Sequence, residues 1–145
     1  MPPISRQDVS SAMAQLVPSI IQGVQLDFFL NRRVTQTQCL VLMAIHASGH
    51  CTMGTLARNL HVSMPTTSGI VQRLVRAGYA RRHPQPHDRR QVAVTLTAKG
   101  RAFIRDFQAV IRRRWDEVLR PLAPQELVTF HRVITTLRLQ LQSPR

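Results

Sequence analysis

The sequence predicts a mainly α-helical chain with one small β-hairpin, and three observations lead there. Apolar residues recur at spacings of three and four through most of the chain, the period of a helix that buries one face. One stretch, Tyr79 to Leu96, abandons that period for alternation around a Pro-broken loop. The charge is also uneven. Twenty basic residues face seven acidic ones, for a net +13, yet residues 1–49 carry only +1 and residues 102–145 carry +4. Residues 50–101 hold Arg58, Arg73, Arg76, Arg81, Arg82, Arg89, Arg90, Lys99 and Arg101 against Asp88 alone, a net +8.

The elements follow in order. From Ser5 to Asn31, Val9, Met13, Leu16, Ile20 and Val24 read as one helix. Pro18 lies inside it and predicts a kink or break, because its ring removes a backbone donor and clashes with the preceding turn. A second helix opens at Thr35, with Gln38 completing a capping box, and stops at Gly49. Thr52 caps a short helix with Leu56, Ala57 and Leu60, and His61-Val62 make a tight turn. Ser63 then caps a helix carrying Ile70, Val71, Leu74 and Val75, ended by Gly78. Tyr79–His83 and Gln91–Leu96 are the two strands, joined by a polar loop from Pro84 to Arg90. Thr97 begins a long helix that Pro121 ends, and a last helix after Pro124 carries Leu127, Phe130, Ile134, Leu137 and Leu141.

Two short helices joined by a tight turn, the second opening on small hydroxyl residues, form a helix-turn-helix pattern. Packing of Leu56, Ala57 and Leu60 on Ile70, Val71 and Leu74 would leave Met64, Pro65, Thr66, Thr67, Ser68 and Gln72 on the outer face. Hydroxyl and amide groups there can reach base edges, thymine methyls or phosphates. Arg73 and Arg76 follow within two turns, placed for flanking backbone, and Ser63 stands at the helix start. The hairpin beyond puts His87, Asp88, Arg89 and Arg90 at its tip, where an Arg can enter a minor groove. Asp88, the one acid of the basic region, is expected to pair with a tip Arg and hold its fork; starting a turn is the other use of an Asp there.

In this arrangement the sequence resembles the MarR-type winged-helix regulators. The resemblance is carried by Val34-Thr35-Gln36-Thr37-Gln38, Leu56-Ala57-Arg58-Asn59-Leu60, Ser63-Met64-Pro65-Thr66-Thr67-Ser68 and Leu74-Val75-Arg76-Ala77-Gly78-Tyr79. It continues through Asp88-Arg89-Arg90 and Val94-Thr95-Leu96-Thr97-Ala98-Lys99-Gly100, nearly the whole chain. It implies a winged helix-turn-helix with its supporting helix over residues 35–100 of a single domain, 1–145, and dimerisation helices over 5–33 and 101–143. It further implies a homodimer on pseudopalindromic double-stranded DNA, acting as a transcriptional repressor, with Arg90 as the minor-groove residue. Family members often bind small aromatic or phenolic effectors; here Phe28, Phe29, Met43, His46, Phe103 and Phe107 are the residues that would line such a cleft, although each also fits a plain apolar core. Dimerisation has a physical reason too, since the terminal helices carry more apolar surface than a small winged domain can cover.

Other functions find less support. No Gly-rich phosphate loop, nucleophile elbow or paired carboxylates suggest an enzyme, and no cofactor is implied. The six His and two Cys show no metal-ligand spacing; Cys39 reads as core, and Cys51 has nothing nearby to depress its thiol pKa. No apolar run approaches a membrane span and the N-terminus lacks a secretion signal, so a cytoplasmic chain without membrane contact is expected. A sequence-indifferent DNA-coating protein and a winged module for protein interaction stay open beside the regulator.

Overall fold

The computed structural model describes residues 3–85, 87, 88 and 90–142. The order is α1 (Arg6–Arg32), α2 (Gln36–Ser48), β1 (Cys51–Thr52), α3 (Met53–Leu60), α4 (Met64–Arg76), β2 (Ala80–Pro84), β3 (Val92–Leu96), α5 (Ala98–Leu119) and α6 (Pro124–Gln142). The chain divides into two compact units, the first ending at Ile111 and the second starting at Arg112.

Capping sets the helix starts. Ser5 and Asp8 form a capping box for α1, Thr35 and Gln38 one for α2, and the hydroxyls of Thr52 and Ser63 accept the third amide of α3 and α4. The ends are set by left-handed residues. Gly49 (φ 71°) closes α2; after α4, Gly78 (φ 78°) turns the chain so that its N–H reaches Val75 and that of Tyr79 reaches Leu74. His61 does the same after α3 at φ 52°, a conformation that costs a side-chain-bearing residue about 1 kcal/mol.

α1 runs through Pro18 without a break, against the interruption that the proline predicts. The lost bond costs about 3 kcal/mol locally. A 27-residue helix with a capping box at its start and Val24 and Phe28 in the core near its end propagates on both sides of that defect.

The sheet corrects the two-stranded expectation. Its order is β1-β3-β2, all antiparallel, with Cys51 opposite Val94 and Ala80 opposite Leu96. Two residues are too short to show a period of two, and Thr52 serves at once as strand and helix cap. β2 pairs on one side only, which is why Pro84 is tolerated in it.

The core of the first unit is built around α2. Val41, Leu42 and Ile45 are wholly buried, packed with Leu56 of α3, Val71 and Leu74 of α4, Val94 of β3, and Val24, Phe28, Phe103 and Ile104 from α1 and α5. Cys39 and Cys51 are buried here as free thiols. Desolvation pushes Cys39 up to about 11 and raises Cys51 as well, which opposes thiolate chemistry at either. In the second unit, Glu126 accepts from the Ala123 amide at 2.7 Å at the start of α6, and Arg114 pairs with Glu117. Val128, Leu137, Leu139 and Leu141 of α6 stay exposed. Among the described residues no helix is long and apolar enough to cross a membrane.

Candidate nucleic-acid interface

Helical geometry decides which α4 side chains are free. At 100° per residue, Thr67, Ile70, Val71 and Leu74 share one stripe, and all four are buried. Thr67 is therefore a correction to the outer face expected for it. It has no exposed surface, and its hydroxyl donates to the Ser63 carbonyl at 2.9 Å, as a buried polar group must find a partner. Pro65, Gly69, Gln72 and Arg76 form the opposite stripe, with Thr66 and Arg73 beside it. All of these but the half-buried Gly69 are exposed.

At the start of α4 the Ser63 hydroxyl is occupied by capping, accepting from the Thr66 amide at 3.2 Å and lying 2.8 Å from the Thr66 hydroxyl. Met64 is exposed next to them. Ser68 is half-buried and holds the wing: the Arg82 guanidinium donates to its carbonyl at 3.0 Å and to its hydroxyl at 3.3 Å. Sequence reasoning missed that link. Strand parity could have found it, because Arg82 shares its face of β2 with buried Ala80.

The wing tip also differs from expectation. His87, Asp88 and Arg90 are exposed, and Arg89 lies outside the described residues. Asp88 accepts from the Arg90 backbone amide at 3.0 Å and the Gln91 side-chain amide at 3.3 Å, while Gln91 N–H returns to the Asp88 carbonyl at 2.9 Å. It starts a turn and leaves the Arg90 guanidinium unheld. A short side chain reaches a backbone amide two residues on more readily than a long guanidinium folds back. Among the described residues both ion pairs fall outside 50–101, so the described basic side chains of this region have no acidic partner.

Residues 34–91, from two residues before α2 to the return of the wing, match the model of the MarR family. The chain resembles that family over 58 of its 145 residues. Over 70 residues it is 36% identical to the multiple antibiotic resistance protein MarR of Salmonella typhimurium, covering 48% of this chain and 49% of that one. Three solved structures share the fold. RV1404 from Mycobacterium tuberculosis has a TM-score of 0.81 at 23% identity over 99% of both chains. A MepR variant from S. aureus, solved bound to an oligodeoxyribonucleotide, has 0.68 at 20%, over 92% of this chain and 98% of that one. NadR, solved with 4-hydroxyphenylacetate, has 0.67 at 20%, over 94% and 97%. The MarR family consists of transcriptional regulators, not enzymes.

Of the six cleft residues that the MarR resemblance implies, the structure brings four together. Phe28 and Phe103 are buried with ring centroids 5.0 Å apart, and the half-buried Phe29 and Phe107 close on Phe28 at 5.6 and 5.5 Å. These edge-on contacts fill the space between α1 and α5, and Tyr79 extends them at 5.5 Å from Phe103. Arg32 covers the outer side, 4.1 Å above the Phe28 ring and paired with Asp106 at 3.0 Å. Met43 and His46 remain exposed on α2, outside the packed core.

Proposed function

We propose that this chain is a MarR-family regulator that binds double-stranded DNA sequence-specifically as a homodimer, with α4 in the major groove and the wing at the adjacent minor groove. The observation that carries the reading is the exposed stripe of α4, Pro65, Thr66, Gln72, Arg73 and Arg76, beside a wing whose Arg90 guanidinium faces solvent. Side chains early in the helix are suited to base edges and those later in it to phosphates. The Ser68–Arg82 bond supports a fixed spacing between the two reading elements.

Exposed apolar residues favour the dimer. Val9, Met13 and Leu16 on α1, and separately Leu137, Leu139 and Leu141 on α6, remain open to water in a single chain. A two-fold dimer would present two α4 helices about one DNA turn, roughly 34 Å, apart and so read a pseudopalindromic operator. Repression follows if that operator overlaps a promoter. Release by a phenolic effector is supported by the phenolic ligand of NadR; the half-buried Phe29 and Phe107 would be the first rings to yield to it.

The test is selection of bound fragments from genomic DNA, followed by anisotropy titrations on the enriched site. Arg90→Ala is expected to weaken binding most on A·T-rich flanks. Arg73→Ala should weaken all sequences alike and reduce the salt slope by about 1. No enriched sequence, or equal behaviour of both variants on every duplex, would overturn the reading.

A further inference from the structure

Only one face of the sheet serves α4. In β2, Ala80 and Arg82 turn toward that helix, whereas Arg81 and His83, one residue out of phase, turn away. Register places Arg81 opposite Thr95, and Arg81 Nε donates to the Thr95 hydroxyl at 3.4 Å. On this far side lies a pocket of about 580 Å³. It is lined by His46 from the last turn of α2, Arg81 and His83 of β2, Thr95 and Leu96 of β3, and Arg101 in the first turn of α5. Arg101 is steadied by its bond to the Leu96 carbonyl at 2.9 Å.

The charge of this pocket is uncompensated. None of its described lining residues is acidic, and Asp88, the only acid between residues 50 and 101, is engaged with Arg90 and Gln91. Each guanidinium spends one donor within the chain and keeps others in a fork that fits an oxyanion. The volume suits a small molecule. A duplex bound on α4 as proposed above would approach the other side of the sheet.

We propose that this pocket binds a small organic dianion, a phosphomonoester or a dicarboxylate, held between Arg81 and Arg101. Two permanent cations match two negative charges, and a monoanion would leave one guanidinium unanswered. His46, His83 and the Thr95 hydroxyl offer further hydrogen bonds to the remaining oxygens, and Leu96 supplies apolar surface for the organic body. The site shares only His46 with the aromatic cleft and does not depend on the DNA reading.

Calorimetric titration of the full chain, without DNA, tests it with phenyl phosphate, phthalate, benzoate and inorganic phosphate. Saturable binding of phenyl phosphate or phthalate is expected, with benzoate at least tenfold weaker; whichever dianion binds tighter identifies the head group. Arg81→Gln and Arg101→Gln should each lower that affinity at least tenfold. Arg81→Gln gives up only a long hydrogen bond, so its thermal unfolding should match the parent and keep the test valid if Arg101→Gln unfolds. Absence of dianion binding at millimolar concentration, benzoate or inorganic phosphate binding as tightly as the organic dianions, or unchanged affinity in Arg81→Gln would each overturn the proposal. So would a loss of duplex affinity in Arg81→Gln as large as that in Arg90→Ala, which would give this guanidinium to DNA.

Discussion

The winged segment and the terminal helices treat apolar side chains in opposite ways. Between α3 and β3, Leu56, Val71, Leu74 and Val94 are almost fully buried, each by neighbours within the same chain. Along α1, Val9 and Met13 are exposed, and on α6 Val128 and Leu141 are more so, at 71% and 87%. The first region satisfies the hydrophobic effect alone; the second leaves it unsatisfied. Stability of the winged segment should therefore be independent of concentration, while any stability drawn from the terminal helices should grow with it.

The sharpest way to break this contrast is a pair of leucines. Leu42→Ala, at a wholly buried position, is expected to lower unfolding free energy by about 2–5 kcal/mol in denaturant titration at any protein concentration. Leu137→Ala, at a 43% exposed position, should change a monomer by about 0.5 kcal/mol or less, yet shift sedimentation of a dimer toward the monomer. If both variants behaved alike in concentration dependence, the division between the two regions would fail.

A smaller effect is expected at Gly100, within the self-sufficient region. A Cβ there would meet the Tyr79 carbonyl, with Leu96 Cβ at 3.3 Å. Gly100→Ala must move backbone and should cost about 1–3 kcal/mol, read as a lower melting temperature. An unchanged melting temperature would mean that α5 and the start of the wing are not in contact.

The smallest effect separates two adjacent threonines. Thr67→Val removes the side-chain bond to the Ser63 carbonyl, which keeps the Thr67 amide as a donor, and should cost about 1 kcal/mol of stability. Thr66→Val, at an exposed position, should leave stability within about 0.5 kcal/mol and change the preference among DNA sites instead. Reversal of that pattern, by thermal unfolding and duplex titration, would move Thr67 back to the outer face.

Much of this was legible in the sequence. Helix starts and stops were, because Ser5, Thr35, Thr52 and Ser63 carry cap chemistry and Gly49 and Gly78 carry the turns. Thr67 was misplaced because its hydroxyl was grouped with those of Thr66 and Ser68, although its spacing to Ile70, Val71 and Leu74 already put it on the buried stripe. The role of Asp88 was half legible: residue type allows either a turn or an ion pair, and only geometry chooses. β1 was too short to show. The pocket of Arg81 and Arg101 was hidden for another reason, since twenty residues separate them and only the strand register and the turn into α5 bring them to one wall.

The joint between α4 and α5 has a mechanical consequence. The Thr97 hydroxyl accepts from the Gly100 amide at 3.1 Å and donates to the Gly78 carbonyl at 2.6 Å. Lys99, the only lysine of the chain, donates to the Ala77 carbonyl at 2.7 Å and lies 4.4 Å over the Tyr79 ring. A hinge needs a segment whose dihedrals can turn without breaking bonds, and these contacts deny it one. α4 and the first turns of α5 are thus tied as a welded bracket: a tilt imposed on one arm should carry to the other, and if α4 enters a DNA groove as proposed, fitting to a curved duplex would be accommodated outside this joint.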